Sequence, residues 1–301
     1  TETPRSVVSD TRVDALRSLA RDVGDRLDEL PGVFVQRTTS ASAAPLIRGL
    51  GGQRSLLLYD GLRLNDSLTK VGGNALLTLV DPMSVRSVEV LRGPASVIYG
   101  SDALGGVVLV NPLDAVARAD GSAYAHGEVS MRYASAERSV QGGALVEGEA
   151  GPWGALFSGT MGETGRLMAG GPLGVQPYSG FRDRTGSLRV TLTPSRGHRV
   201  GVALHGSAIT DAPRSDLSSP MDTRVFRLQQ RDLAYAHYRG DFGALVVSAR
   251  AGVMRREEIR DRFREGRVDT ERDEVLTAHV ALQADLRVRQ ARVTAGLDLA
   301  S

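Results

Sequence analysis

The chain has 301 residues, 41% of them hydrophobic, enough for one large or two ordinary domains with a core, which excludes a disordered segment. Lys and Arg number 37 against 35 Asp and Glu, a formal charge of +2, and the basic residues are scattered rather than aligned, so nucleic acid is excluded as a partner. The absence of Cys excludes disulfides, thiolate metal sites and Cys nucleophiles.

In chain order, Val13, Leu16, Ala20, Val23, Leu27 and Leu30 recur at helical spacing. Ser9 or Asp10 is the expected N-cap, and Pro31-Gly32 stops the helix. Short apolar runs follow at Val33 to Val35, Leu56 to Tyr59, Val88 to Leu91 and Val107 to Val110, each closed by Gly, Pro or Asp-Gly. Asp60-Gly61 closes a tight turn, Pro94 suits the first turn of a short helix stopped at Gly100, and Gly105-Gly106 permits close backbone approach. Residues 1–115 therefore read as a compact α+β domain.

The second region, 116–301, alternates with period two from about Tyr124. Leu188, Val190 and Leu192 share one face and Arg189 and Thr191 the other; Val280 and Leu282 oppose His279 and Gln283. Nine such segments lie at about 127–134, 139–149, 154–163, 185–193, 199–210, 227–240, 243–260, 273–286 and 291–300.

Their connections alternate too. Gly151-Pro152, Pro194 to His198, Gly240 to Gly243 and Arg287 to Gln290 are tight turns, whereas 164–184, 211–226 and 261–272 read as long polar loops; Ser135 to Arg138 breaks the rule. Short turns at one rim and long loops at the other describe a membrane β-barrel. No run approaches the roughly 18 apolar residues of a membrane helix, so any crossing is made by strands. Period-two strands also describe a soluble sandwich or propeller, and an aromatic content of 5% is low for barrel girdles, while the length of several segments favours the barrel.

Leu46-Ile47-Arg48-Gly49, Leu56-Leu57-Leu58-Tyr59-Asp60-Gly61, Val88-Glu89-Val90-Leu91-Arg92-Gly93-Pro94 and Tyr99-Gly100-Ser101-Asp102-Ala103-Leu104-Gly105-Gly106 resemble, in order, the plug domain of TonB-dependent receptors. The resemblance covers about residues 19 to 112, and the alternating strands resemble the start of that family's barrel. It implies an α+β plug domain followed by transmembrane antiparallel β-barrel strands, the first part of a barrel of about 22.

The function so implied is that of an outer-membrane receptor, not an enzyme, importing a scarce nutrient by TonB-driven plug rearrangement. The implied partners are the TonB energy-transducing complex, outer-membrane lipid and a small nutrient ligand, either a ferric siderophore or a cobalamin-like molecule. The first region has no His, which weighs against haem. The resemblance also implies that the arginines of the IRG and LRGP motifs, Arg48 and Arg92, lie between plug and barrel wall and pair with barrel carboxylates, with Glu89 joining them. The other reading of these three is solvation on an exposed strand face. Ligand is expected at the plug loops Thr38 to Ala44 and Asn65 to Asn74, through Thr38, Thr39, Ser40, Asn65, Asp66, Lys70 and Asn74. The segment pulled by TonB is sought at Thr1 to Val8.

Nine strands are too few to close around such a plug, and an open sheet would leave backbone groups unpaired in lipid. The remaining strands are thus expected outside this chain. The rival readings are a surface or adhesion barrel, which has no use for a plug, and a soluble β-rich binding protein. Gly49-Leu50-Gly51-Gly52 lacks dinucleotide spacing, the five His form no paired-ligand motif and no GxSxG occurs, so no cofactor, metal or catalytic residue is assigned.

Overall fold

The computed structural model describes residues 7–11, 20–69, 75–115, 121–176, 178–214, 222–288 and 291–301. The first part holds a five-stranded sheet of β1 (Val7–Thr11), β6 (Val85–Arg92), β7 (Gly106–Pro112), β4 (Ser55–Tyr59) and β5 (Leu62–Arg63), in that order. Beside it lie the hairpin β2 (Val33–Gln36) and β3 (Ala44–Ile47), helix α1 (Val23–Asp28) and the single turn α2 (Ser96–Tyr99).

All four apolar runs become strands, and the Asp60-Gly61 turn joins β4 to β5 with both residues at positive φ, 49° and 78°. Gly106 is required by close approach: at φ 153°, a Cβ there would stand 2.3 Å from the Leu91 carbonyl oxygen. The helix starts differently from its periodicity. Asp22 caps α1, accepting from the Asp25 N–H at 3.0 Å, and Gly32 at φ 78° follows its end. Ser9 and Asp10 are not caps but members of β1, because Val7 and Val8 pair with Leu91 and Val90 of β6 and extend the chain there. Residues 12–19 of the expected helix lie outside the described residues. Pro94 precedes the cap of α2, Ala95, rather than opening the helix, and Gly100 at φ 79° stops it.

The second part is one antiparallel nine-stranded sheet in strict chain order. Its members are β8 (Tyr124–Ala134), β9 (Ser139–Ala150), β10 (Trp153–Thr164), β11 (Phe181–Ser195), β12 (His198–Pro213), β13 (Asp222–Asp241), β14 (Leu245–Arg264), β15 (Arg267–Val288) and β16 (Ala291–Ala300). Each expected segment is a strand. The stretch 261–272 is not a loop: β14 and β15 continue to a two-residue turn at Glu265-Gly266, with Arg262 opposite Asp269 and Arg260 opposite Glu271. Cross-strand ion pairing holds this ribbon, so it lacks the apolar face by which a strand is read. The stretch 164–184 holds a 3-10 turn at Gly171–Leu173; of 211–226, residues 211–213 end β12 and 222–226 open β13, and 215–221 lie outside the described residues.

Alternation sorts the wall as expected. Arg189 and Thr191 are buried while Leu188, Val280 and Leu282 are exposed at 40–46%. One core joins the two parts: Val23, Leu27, Leu57, Tyr59, Val88 and Val108 pack in the same cluster as Ala203, Leu233, Tyr235 and Met254 of β12, β13 and β14. The first part thus lies against the inner face of the nine-stranded wall. Among the described residues β8 and β16 are the wall's two edges and do not pair with each other.

Candidate functional site: the plug and wall interface

The inner part is fixed to the wall by charge. Asp60, at the tip of the β4–β5 turn, accepts from Arg189 Nη2 at 2.9 Å, Tyr235 Oη at 2.7 Å and Arg250 Nη2 at 3.3 Å. Arg189 also reaches Asp114 through Nε at 2.8 Å, so one guanidinium joins the segments that follow the parallel strands β4 and β7 at one end of the inner sheet. Burial pushes the Asp60 carboxyl up, but the Arg189 and Arg250 guanidiniums and the Tyr235 hydroxyl outweigh it and hold the group below the usual carboxylate range.

Two further anchors sit beside this one. Arg256 bridges Asp66 at 2.8 Å and Glu258 at 2.5 Å. Arg231, 1% exposed, donates to the carbonyls of Leu76, at 3.0 Å, and Leu79. His205 Nε2 shares the Leu79 carbonyl at 2.9 Å while its Nδ1 meets Ser187 Oγ at 2.8 Å, so this ring donates from Nε2. Ser158 of β10 donates to Asp81. Across the interface at these anchors the cations come from the wall and their partners from the inner part, with Glu258 of the wall adding a second carboxylate to Arg256.

At the long-loop rim, Arg21 reaches Glu137, in the β8–β9 connection, at 3.3 Å and the Ser40 carbonyl at 2.9 Å. Asp22 is tied to Arg37 at 2.9 Å; burial raises its carboxyl, and Arg37 and Arg21 reverse this and bring it down to about 2.

The residues singled out by sequence fall in three places. Thr38, Thr39 and Ser40 form a tight loop at that rim, where Thr38 Oγ1 meets Ser42 Oγ at 3.4 Å and Thr39 N–H donates to Ser42 Oγ at 3.1 Å. Asn65 is engaged with β4, accepting from Leu57 N–H at 2.7 Å and donating to the Ser55 carbonyl at 3.0 Å, and Asp66 belongs to the Arg256 anchor. Lys70 and Asn74 lie outside the described residues. Arg48, Glu89 and Arg92 sit away from these anchors. Arg48 is exposed at φ 51°, with Nη1 3.2 Å from where Gly93 would carry a Cβ; Arg92 Nη1 donates to the Pro31 carbonyl at 2.9 Å; Glu89 Oε1 accepts from Asn111 at 2.8 Å. The structure brings Arg48 and Arg92 to neighbouring turns at one end of the inner sheet.

Sequence reasoning passed over Asp60, which it took for a turn residue alone, and Arg231, Arg250 and Arg256. The three arginines carry a signal in the sequence, since each is an inward charge on an alternating strand, as Arg189 is; the carboxylates and carbonyls they meet lie far away in the chain.

Residues 1–107 match the family described as TonB-dependent Receptor Plug Domain. The inner part is a TonB-dependent receptor plug domain. The whole chain has the fold of such receptors. It aligns with the copper transporter OprC at a TM-score of 0.82 and 16% identity, covering 98% of this chain and 46% of that one. The FrpB iron transporter from Neisseria meningitidis aligns at 0.81 and 19% identity, covering 98% and 48%. The siderophore receptor PirA from Acinetobacter baumannii aligns at 0.74 and 19%, covering 98% and 48%. The chain spans about half the length of these structures, and its nine strands correspond to part of a plugged barrel.

Proposed function

We propose that this chain is the plug and first wall segment of an outer-membrane receptor that imports a scarce nutrient by TonB-driven rearrangement of the plug. The observation that carries the reading is the interface itself: a folded domain sits against the inner face of a strand wall and is held there by ion pairs and hydrogen bonds that can be broken and remade. A surface or adhesion barrel has no use for such an element. The remaining wall comes from strands outside this chain, and Arg48, Glu89 and Arg92 face toward it. TonB acts on the segment ahead of the plug; Val7 and Val8 of that region belong to β1, the outermost strand of the plug sheet.

The ligand meets the long-loop rim, including Thr38, Thr39 and Ser40. Beside it a cavity of about 180 Å3 is lined by Arg214, Arg224, Arg260 and Arg262 with Asp261, Asp269 and Glu271. Four arginines against three carboxylates favour an anionic chelate, so a ferric siderophore leads over a cobalamin-like ligand.

Growth of a strain lacking the gene on defined iron and cobalamin sources tests this. Loss of growth on one ferric siderophore, restored by the wild-type gene and not by one lacking the plug, is the expected result. Unchanged growth on every iron and cobalamin source would overturn it.

A further inference from the structure

Arg231 of β13 and Arg256 of β14 stand directly opposite each other in the antiparallel ladder, both turned toward the plug and both 1% exposed. Like charges so placed repel, and burial strips away the water that would screen them. Arg256 is met by Asp66 and Glu258. Arg231 has no ion pair among the described residues: its guanidinium faces only the carbonyls of Leu76 and Leu79. Those carbonyls satisfy N–H groups without cancelling a charge. The Nε groups of both arginines are buried with no hydrogen-bond partner.

An anchor serving stability alone would be built otherwise. Arg189 shows how, on the same wall, with Asp60 at 2.9 Å and Asp114 at 2.8 Å. An apolar residue at 231 would hold the plug without the desolvation cost of a charge. The place of the pair is also particular. Arg231 stands midway along β13 (Asp222–Asp241), so a solute moving between plug and this wall from the long loops to the short turns passes it. His205 stands beside it, its Nε2 donating to the same Leu79 carbonyl at 2.9 Å, so one plug segment covers both side chains. Arg189 is level with Tyr235, four residues nearer the short turns, about 13 Å further on by strand rise.

We propose that Arg231, Arg256 and His205 form an anion site halfway along the wall, which the plug fills at rest and the anionic oxygens of the passing substrate fill when the plug moves. Once Asp66 and the Leu76 and Leu79 carbonyls leave with the plug, two guanidiniums face Glu258 alone and net positive charge is uncovered. An anionic oxygen then replaces the carbonyls and cancels that charge as well, through charge-assisted hydrogen bonds about twice as strong as neutral ones. The returning plug competes for the same donors. The site therefore holds substrate only while the plug is drawn away, and hands it on toward Arg189. The inference rests on the reading that the plug rearranges during import.

The complete receptor in a planar lipid bilayer tests it, with urea on one side to draw the plug from the wall and citrate as the probe anion against a potassium chloride current. Citrate should block the urea-opened current about tenfold more weakly in Arg231→Gln than in wild type, the equivalent of one charge-assisted hydrogen bond. Gln keeps an N–H donor for the plug carbonyls, so this variant should pass no current without urea. Arg231→Lys, which restores the charge, should recover most of the block. Arg182→Gln, on the outward face where Arg182 pairs with Glu163 at 3.4 Å, should be blocked as wild type is. Citrate block that is absent in wild type, or no better in Arg231→Lys than in Arg231→Gln, overturns the proposal. So does an Arg231→Gln receptor that leaks without urea yet is blocked normally with it, since Arg231 would then be a plug anchor only. A receptor in which urea opens no current overturns the reading of a movable plug along with the site; a urea-opened current whose block is indifferent to residue 231 overturns the site alone.

Discussion

Asp66 of the plug and Arg256 of the wall, 190 residues apart in the chain, meet at 2.8 Å with both side chains only 1% exposed. Removing one partner of such a pair strands the other charge in a water-free setting, which costs far more than the pair contributes when intact. Arg256→Ala is therefore expected to destabilise the protein by about 3 to 5 kcal/mol. Asp66→Asn and Glu258→Gln combined with Arg256→Met, which leaves neither buried carboxylate stranded, should recover most of that loss. Urea unfolding followed by the fluorescence of Trp153, the single tryptophan, measures both. A triple variant as unstable as Arg256→Ala would show that the geometry, not the stranded charge, sets the cost.

Asp60 joins a turn to an ion-pair hub, and substitution separates the two roles. Asn tolerates the left-handed conformation that residue 60 adopts at φ 49° and preserves the turn while discarding the charge. Asp60→Asn is expected to lower hydrogen-exchange protection of β4 and β5 and to loosen Arg189 and Arg250 without unfolding the plug. Gly61→Ala should act through the turn alone, costing about 1 kcal/mol for its positive φ. Protection in Asp60→Asn equal to wild type would mean that the plug is held by packing and the other anchors.

Much of this was legible in the sequence because alternation reports faces directly: all nine wall strands, and the inward side of Arg189, follow from period two. The plug strands at Leu56 to Tyr59 and Val107 to Val110 follow from buried apolar runs between turn residues. What escaped was decided by pairing between distant segments. β1 forms because Val7 and Val8 find Val90 and Leu91. The 261–272 ribbon forms because Arg260 finds Glu271 and Asp273 across the two strands. Neither segment carries that information locally. The same holds for Asp60, whose turn chemistry is visible in two residues while its three partners, Arg189, Tyr235 and Arg250, come from strands far along the chain.

Asp22 sets an acid limit on the plug. Its carboxyl, at about 2 in the folded plug against 3.8 ordinarily, gives stability that is complete above about 4 and is lost as pH falls from there toward 2. Asp25 works in the opposite sense: burial and the neighbouring Asp22 charge raise its carboxyl, so it favours the folded plug on the acid side and its contribution fades as pH rises. Asp22→Asn should flatten the acid limb of the stability profile between about pH 4 and 2 by roughly 2 kcal/mol. An acid limb of unchanged slope in that variant would assign the loss to other carboxylates.

The two faces of the wall should differ in their tolerance of charge. Val190 points outward between Leu188 and Leu192 on β11, and in a bilayer an arginine there must either be buried in hydrocarbon or drag water and headgroups toward it. Gln283 of β15 points inward, where its amide donates to Asp285 Oδ2 at 3.0 Å. An arginine at 283 keeps a polar surrounding and an acceptor. Val190→Arg is expected to cost roughly 2 to 4 kcal/mol if residue 190 lies near the bilayer midplane, and Gln283→Arg close to nothing. Unfolding of the two variants in liposomes, compared with wild type, gives both numbers. Because the penalty comes from lipid rather than from protein packing, it should shrink when the same comparison is made in a water-rich micelle. Equal costs for the two substitutions in liposomes would mean that the outward face meets water, and the wall would then belong to a soluble sheet.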